Sequence, residues 1–171
     1  DPNIFVLGDA VEVRDFVTGH WTLIAQAAVA NRQGRIAADV IAGRDSRFRG
    51  AQATSIVRLF GAAAAWTGAS EKRLRAQGDK DYEKVCLFPD ASADFSASAT
   101  PIALKVLFRR SDGRVLGGQA MGEDAPAVDK RISALALAIQ MGATVHDLEE
   151  AELCYAPQFG SAKDPVNFAG M

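Results

Sequence analysis

Residues 102–120 read IALKVLFRRSDGRVLGGQA, and this stretch decides the fold of the chain. Alternation with a period of two places its apolar side chains on one face of an extended strand and Lys105 and Arg109 on the other. The apolar positions are Ile102, Leu104, Val106 and Phe108. The segment Ser111–Arg114 contains Asp-Gly, a pair that favours tight turns, and it leads into a second strand at Val115–Ala120. The pattern predicts a β-hairpin.

A helix is predicted directly after the hairpin, starting at Val128. Apolar residues recur there three or four positions apart, as on the buried face of an amphipathic helix, and Gly142 suits its left-handed end. The recurring apolar positions are Ile132, Leu135, Ala136 and Ile139. Asp129, Lys130 and Arg131 are interpreted as its polar residues. We expect this helix to pack on the hairpin.

Further elements surround the hairpin and its helix. Ile56–Phe60 and Ala62–Trp66 indicate either one long strand or a bent pair, and Tyr82–Phe88 indicates another strand. Ser70 and Thr144 are residue types that cap helices, so a short helix is predicted after each of them. The region after residue 50 is therefore predicted to be antiparallel α+β, with a sheet and packed helices.

The first fifty residues follow a different pattern. The apolar run Ile4–Leu7 stops at Gly8-Asp9, as a buried parallel strand would. The segment Leu23–Ala42 favours a long helix that ends at Gly43. A strand followed by a helix is half of an α/β unit and cannot bury both faces of a sheet.

The two patterns divide the chain near residue 50. Residues 1–50 are interpreted as the strand-helix remnant of an α/β domain, and residues 51–171 as a separate α+β domain. The first residue is not Met, and an apolar strand is predicted almost at once, at Ile4. We therefore expect the chain to be part of a longer protein.

The composition is that of an ordinary globular protein. Hydrophobic residues make up 49% of the chain and charged residues 23%, with a formal net charge of −2. The 19 Lys and Arg against 21 Asp and Glu provide no basic excess for nucleic acid or a membrane surface. No apolar run approaches the roughly 20 residues that span a bilayer, and the start lacks signal-peptide regions. The sequence predicts a cytoplasmic protein without nucleic-acid or membrane partners.

Several candidate sites have ordinary explanations. The glycine-rich stretch Gly117–Gly122 lies in the predicted hairpin, so no helix opens from it as a phosphate-binding loop requires. Cys154 is interpreted as a small buried apolar residue, and its distance from Cys86 in the sequence argues against a disulfide scaffold. His146 is interpreted as solvated or locally bonded, and His20 lies in a segment, Arg14–His20, that is predicted to be a polar loop. No cluster of ligand-type residues predicts a metal site.

Two segments favour a functional role. Gly8-Asp9 places a carboxylate at the carboxyl end of an apolar strand, where α/β proteins bind ligands, and a polyol or ribityl hydroxyl would suit that carboxylate. The tail at residues 152–167 is too aromatic and too rich in proline for a solvated terminus. We expect the tail to dock against another surface.

Three stretches resemble one enzyme family. They are IFVLGDAVEV at residues 4–13, ANRQGRIAADVIAG at 30–43 and ELCYAPQFGSAKDPVN at 152–167. They resemble the last flavin-binding strand, the following helix and the C-terminal loop of the pyridine nucleotide-disulfide oxidoreductases. The resemblance is to the branch of coenzyme A disulfide reductases, persulfide reductases and related NADH oxidases. It implies that residues 1–50 end an FAD-binding domain and that residues 51–171 form a dimerisation domain.

The resemblance also implies an activity for the parent protein. Family members are homodimers in which NAD(P)H reduces FAD and FAD reduces a cysteine-based centre near the start of the full chain. The thiol then attacks a coenzyme A-linked disulfide, a persulfide or a polysulfide. We expect the isolated chain to be inactive and to hold no flavin.

The family's functional residues carry over onto matching positions. Asp9 would hydrogen-bond the FAD ribityl chain, and the helix beginning near Ala27 or Ala28 would direct its positive end at the pyrimidine edge of the flavin. Tyr155 would reach the partner's active site and hydrogen-bond the substrate sulfur. Phe159 would lie close to the partner flavin. The implied cofactor-binding residues are Gly8, Asp9, Ala27, Ala28 and Phe159, and the implied catalytic residue is Tyr155.

The chain departs from the family pattern at two places. Ala28-Val29 stands where members often have Gly-Pro, and Phe95-Ser96-Ala97 stands where they often have Tyr-Tyr-Pro. Loss of the second tyrosine bears on coenzyme A disulfide reduction in particular. Two alternatives stay open: a non-catalytic dimerisation module, and the same portion of an oxygen-reducing NADH oxidase.

Overall fold

A computed structural model describes residues 1, 3–93, 95 and 99–171. The described chain divides into two compact units, residues 1–53 and residues 54–171, which we call the N-terminal and the C-terminal unit. Ser96 and Ala97, part of one departure from the family pattern, lie outside the described residues. The assignment of residues 1–50 to an FAD-binding domain stays a prediction.

The N-terminal unit contains a small hairpin and a long helix. Strands β1 (Glu12–Arg14) and β2 (Trp21–Leu23) pair antiparallel, and helix α1 spans Ala27–Ile41. A 3₁₀ turn at Gly8–Ala10 precedes them. The buried apolar side chains of this unit are Val13, Ile24, Val29 and Ala51. Because this core is small, several large apolar side chains of the unit stay exposed.

The prediction of a strand at Ile4–Leu7 is wrong for this chain. The four residues form no strand, and their side chains are between 39% and 66% exposed. A strand forms only where a neighbouring strand pairs with its N–H and C=O groups. No strand of the described chain pairs with this segment.

The predicted first helix is correct in its end and too long at its start. Leu23 belongs to β2, and α1 begins only at Ala27. The polar residues after Arg14, predicted as a plain loop, form the turn of the β1–β2 hairpin. Strands of three residues are too short to show an alternating pattern. Gly43 has φ 78°, which confirms the predicted left-handed end.

The C-terminal unit is an antiparallel sheet with packed helices. Its strands are β3 (Ser55–Leu59), β4 (Ala62–Gly68), β5 (Tyr82–Leu87), β6 (Ile102–Arg109) and β7 (Val115–Gly122). Its helices are α2 (Glu71–Ala76), α3 (Ala125–Met141), α4 (Val145–Glu150) and α5 (Pro165–Phe168). The strands of the described unit are ordered β3-β4-β7-β6-β5. The predicted α+β fold class is confirmed.

The predicted hairpin and helix form the centre of this unit. Strands β6 and β7 pair antiparallel, with Leu104 opposite Ala120. Two glycines of β7 let neighbouring groups come close, a backbone segment at Gly117 and a side chain of α3 at Gly118. A Cβ on Gly117 would lie 2.0 Å from the carbonyl oxygen of Ala69, and one on Gly118 would lie 2.6 Å from Leu135 Cδ1. The α3 helix therefore packs directly on the hairpin, as predicted.

Residues 56–66 were predicted to form either one long strand or a bent pair of strands. The bent pair is correct and corresponds to β3 and β4. The two strands form a hairpin whose two-residue turn is Phe60-Gly61. Both turn residues have positive φ, 51° and 90°, as a type I′ turn requires. Phe60 is fully exposed in this turn. The sequence signal was weak because Phe is unusual at a left-handed position.

The predicted caps of the short helices are confirmed. The Ser70 hydroxyl accepts a hydrogen bond from the backbone N–H of Arg73 at the start of α2. Thr144 and Asp147 form a capping box at the start of α4. Helix α5 was not predicted. It is a single turn, and Asp164 caps it by accepting from the backbone N–H of Val166.

Candidate functional site

The Gly8–Ala10 turn is held against α1. The backbone N–H of Gly8 donates to Gln33 Oε1 at 2.8 Å, and Gly8 has φ 74°. A Cβ on Gly8 would lie 3.6 Å from the Cβ of Ala30, so the turn lies directly beside the first half of the helix. The next residue, Asp9, is exposed. The turn therefore presents a carboxylate to solvent from a fixed backbone.

The start of α1 is open. The helix begins at Ala27, within the predicted range of Ala27 or Ala28, and no side chain caps it. Both alanines are exposed, and their small side chains leave access to the backbone. The first N–H groups of a helix have no partner within the helix, and they carry its positive end. This end of the helix can therefore accept an electronegative group.

Tyr155 and Phe159 share one irregular loop of the C-terminal unit. Tyr155 is 49% exposed and Phe159 is 66% exposed. The loop's main chain is ordered by hydrogen bonds, since the N–H of Phe159 donates to Ala156 O at 2.8 Å. The N–H of Ala93 donates to Pro157 O at 2.9 Å and so ties the loop to a second segment. The arrangement fixes the backbone while both aromatic rings face outward.

The predicted site residues thus fall into two groups. Gly8, Asp9, Ala27 and Ala28 lie in the N-terminal unit, whereas Tyr155 and Phe159 lie in the C-terminal unit. Their roles toward a cofactor or substrate stay predictions. Among the described residues, no group of three His, Cys, Asp or Glu side chains could hold a metal ion.

The interpretation of Cys154 as a buried residue is wrong. Its side chain is exposed, as is that of Cys86. The segment around Cys154 is neither helix nor strand, so no regular packing covers its side chains. His20 and His146 are exposed.

A buried ion pair was missed by the sequence interpretation. Arg131, predicted only as a polar helix residue, is 1% exposed and contacts Asp164, which is 5% exposed. The guanidinium Nη2 lies 3.1 Å from Asp164 Oδ2. A signal existed: Arg131 falls between Val128 and Ile132 on the apolar stripe of α3. A charged residue on that stripe needs a buried partner.

A second cluster of charges surrounds Glu71 on α2. Lys105 Nζ lies 2.6 Å from Glu71 Oε2 and Lys84 Nζ lies 2.9 Å from Oε1, while Arg75 pairs with the same carboxylate. The hydrogen bonds from Lys105 and then Lys84 lower the pKa of Glu71 to about 2. The pKa of Lys84 is raised, chiefly by its hydrogen bond to Glu71. This network joins α2 to the edge of the sheet.

Comparison with known proteins identifies the class of this fold. The model of the pyridine nucleotide-disulphide oxidoreductase dimerisation domain matches residues 54–165. The match covers well over half of the chain. The chain therefore belongs to the pyridine nucleotide-disulphide oxidoreductase family.

Individual proteins are similar to this chain along nearly its whole length. Coenzyme A disulfide reductase of Staphylococcus epidermidis is 32% identical over 176 residues, which covers 99% of this chain and 38% of that protein. Reduced CoADR-RHD of Bacillus anthracis is 44% identical, with a TM-score of 0.95, covering 99% of this chain and 30% of that one. The chain spans about 38% of the length of the curated relatives it matches.

Two other solved structures have the same fold. An NAD-dependent persulfide reductase from A. fulgidus is 35% identical, with a TM-score of 0.92, covering 98% of this chain and 31% of that one. A water-forming NADH oxidase from Lactobacillus brevis is 25% identical, with a TM-score of 0.92, covering 99% of this chain and 37% of that one. Among the described helices, none is long and apolar enough to cross a membrane.

Proposed function

We propose that this chain is the dimerisation portion of an FAD-dependent NAD(P)H oxidoreductase that reduces a coenzyme A-linked disulfide, a persulfide or a polysulfide. The activity belongs to the longer protein, because the relatives are more than twice as long as the chain. One observation carries the proposal above all: an exposed Tyr155–Phe159 loop, whose main chain is hydrogen-bonded at Pro157 and Phe159, lies on a dimerisation domain. An exposed tyrosine on such a loop is suited to act in a site that a second subunit completes.

The N-terminal unit fits the flavin end of such a site. Asp9 is exposed on a fixed turn, and its carboxylate can accept hydrogen bonds from the ribityl hydroxyls. The uncapped start of α1 at Ala27 and Ala28 can hold the electronegative edge of the ring system. When bound, FAD supplies the electron transfer between NAD(P)H and the sulfur centre. Gly8 positions Asp9 through its hydrogen bond to Gln33.

A homodimer is the proposed assembly. The face of the sheet opposite α3 carries an apolar hollow of about 380 Å³, lined in part by Trp66, Phe88 and Met121. These side chains are 37%, 79% and 56% exposed. Apolar patches of this kind on a soluble domain mark association surfaces. A second copy of the chain would cover the patch, and each copy would offer Tyr155 to its partner.

Tyr155 is proposed to donate its phenol O–H to the substrate sulfur as negative charge develops there. A donor aimed at developing charge stabilises the transition state more than the ground state. Phe159 is proposed to cover the partner flavin and exclude water from it. Removing one hydrogen bond to a charged group costs roughly 1.5 to 3 kcal/mol, which corresponds to about a 10- to 150-fold change in rate.

The test is Tyr155→Phe in the full-length flavoenzyme, followed by stopped-flow measurement of the two half-reactions. We expect flavin reduction by NAD(P)H to keep its rate and the sulfur-substrate step to slow by about 10- to 150-fold. Tyr82→Phe is the matched control, because that hydroxyl only accepts from Arg75 Nε at 3.0 Å beside α2. Unchanged substrate reduction in a stable Tyr155→Phe dimer would contradict the proposed catalytic role of Tyr155.

Oxygen reduction is the second candidate, favoured by the similarity to a water-forming NADH oxidase. The absence of a second tyrosine at Phe95-Ser96-Ala97 points the same way. Steady-state NAD(P)H oxidation with and without oxygen separates the candidates. Turnover that needs oxygen and does not use coenzyme A disulfide, persulfide or polysulfide as oxidant would replace the first proposal with the second. A flavin-free, inactive full-length protein would favour a non-catalytic dimerisation module.

A further inference from the structure

Arg131 joins three segments of the C-terminal unit. From its place in α3, its Nε donates to Asp164 Oδ1 at 3.2 Å and its Nη1 donates to Ala127 O at 3.1 Å. Its Nη2 lies 3.1 Å from Asp164 Oδ2 and donates to Ala91 O at 3.2 Å. A guanidinium offers donors in a fixed planar fork, so these acceptors must keep their relative positions. The side chain thus links α3 to Ala91 and to Asp164 in the tail.

The neighbouring Lys130 holds the loop itself. Its Nζ donates to Phe159 O at 2.6 Å and lies 3.6 Å from Asp164 Oδ2. The next residue, Gly160, is buried against the same groups, and a Cβ there would lie 3.2 Å from Lys130 Nζ. Two residues before Phe159, Pro157 O accepts a hydrogen bond from the N–H of Ala93. Hydrogen bonds therefore hold the loop's main chain at two points just after Tyr155.

The tail is also fixed beyond the loop. Asp164 caps α5, and the Asn167 side-chain amide donates to Leu148 O and Ala151 O, both at 2.9 Å. The bond to Ala151 fixes the chain four residues before Tyr155. The groups of the tail that these contacts hold are main-chain atoms or buried side chains, whereas the rings of Tyr155 and Phe159 stay exposed. The contacts thus set the direction of the aromatic side chains without covering them.

We propose that Lys130 and Arg131 are positioning residues that aim Tyr155 at the partner's site. The inference rests on the proposed role of Tyr155. A buried ion pair commonly contributes little net stability, because desolvation offsets the attraction. What the pair and the lysine together provide is one conformation of an otherwise irregular loop. A catalytic group must be held within a fraction of an ångström to act efficiently.

Lys130→Met in the full-length flavoenzyme is the principal variant. Lys130 is partly exposed, so its replacement removes the bond to Phe159 O and leaves the Arg131–Asp164 pair in place. We expect the sulfur-substrate step to slow roughly tenfold, since small misplacements of a catalytic group cost one to two orders of magnitude. Flavin reduction by NAD(P)H should be unchanged. Lys130→Arg, which keeps a donor, should restore most of the rate.

Lys163→Met is the matched control, because Lys163 Nζ lies 3.8 Å from the sulfur of Met171 and holds no loop carbonyl. It should leave both half-reactions unchanged. Hydrogen exchange gives a second measurement. The amides of Phe159 and Gly160, which both donate to Ala156 O, should exchange faster in Lys130→Met than in wild type. Unchanged exchange and unchanged rate in Lys130→Met would overturn the inference.

The double variant Lys130→Met/Tyr155→Phe decides whether the lysine acts through the tyrosine. If it does, the double variant should be no slower than Tyr155→Phe alone. Fully multiplicative losses would assign Lys130 a separate, merely structural role and overturn the inference. If Tyr155→Phe slows substrate reduction and Lys130→Met does not, only the inference fails. If Tyr155→Phe has no effect, the proposed function of Tyr155 fails and the inference fails with it.

Discussion

The β6–β7 hairpin and α3 of the C-terminal unit bury the apolar side chains of their facing surfaces, whereas the Ile4–Leu7 run and the end of α1 in the N-terminal unit leave theirs exposed. Val106 and Leu135, on the sheet and on α3, are both 0% exposed. Ile4 and Ile41 of the N-terminal unit are 66% and 70% exposed. Similar apolar patterns thus have different outcomes in the two units. The difference shows that a pattern becomes a packed element only where its packing partners are present in the described chain.

The largest expected effect separates a buried leucine from an exposed isoleucine. Leu135→Ala should lower the free energy of unfolding of this chain by about 2 to 5 kcal/mol, because a buried side chain leaves a cavity. Ile41→Ala, also in a helix, should change it by no more than about 0.5 kcal/mol. Urea unfolding followed by circular dichroism measures both. Equal losses in the two variants would contradict the contrast between the units.

A smaller effect compares one cluster of charges in each unit, around Glu71 and around Asp39. Glu71 in the C-terminal unit is contacted by three cations, and its pKa is lowered from 4.5 to about 2. Asp39 in the N-terminal unit pairs with Arg35 and Arg44, whose side chains are 76% and 69% exposed. Exposed pairs are largely screened by solvent. We therefore expect Glu71→Gln to lower the melting temperature at pH 7 by a few degrees and Asp39→Asn to lower it less.

The pH dependence of Glu71→Gln provides the internal control. A carboxylate with a lowered pKa in the folded state contributes stability that is fully present above about pH 4.5 and is lost as the pH falls toward 2. The difference between wild type and Glu71→Gln should therefore be constant from pH 7 to about 5 and shrink below that range. A difference that grows on acidification would show that the lysines do not stabilise the ionised form.

The sequence predicts the C-terminal unit better than the N-terminal unit for physical reasons. The β6–β7 hairpin and α3 were predictable because each has a long periodic pattern and the two bury each other. The β1–β2 hairpin was missed because its strands are three residues long. The strand predicted at Ile4–Leu7 did not form because no described strand pairs with it. A local sequence pattern does not show whether a neighbouring strand is present to pair with the segment.

The candidate site was predictable only in part. Gly8-Asp9 was singled out by its place after an apolar run, and the tail by its aromatic and proline content. The roles predicted for Asp9 and Tyr155 came only from similarity to a family, since neither an exposed aspartate nor an exposed tyrosine has a distinctive local pattern. The support beneath Tyr155 was missed, although Arg131 lies on an apolar helical stripe. Its partner Asp164 is 33 residues away in the sequence, and no spacing rule connects positions so far apart.

Hybrid dimers of the full-length protein test the central claim, that Tyr155 of one subunit serves the flavin site of the other. One subunit carries Tyr155→Phe with an intact flavin site. The other carries Asp9→Lys, verified as flavin-free by absorbance, with Tyr155 intact. Two affinity tags isolate the hybrid, and its rate of sulfur-substrate reduction is compared with both parent homodimers.

The shared-site account predicts that the hybrid has roughly half of the wild-type activity per dimer, because it contains one complete site formed across the subunit interface. That activity should exceed the activity of either parent homodimer. If Tyr155 instead served its own subunit, no complete site would form in the hybrid. A hybrid no more active than the Tyr155→Phe homodimer would contradict the account.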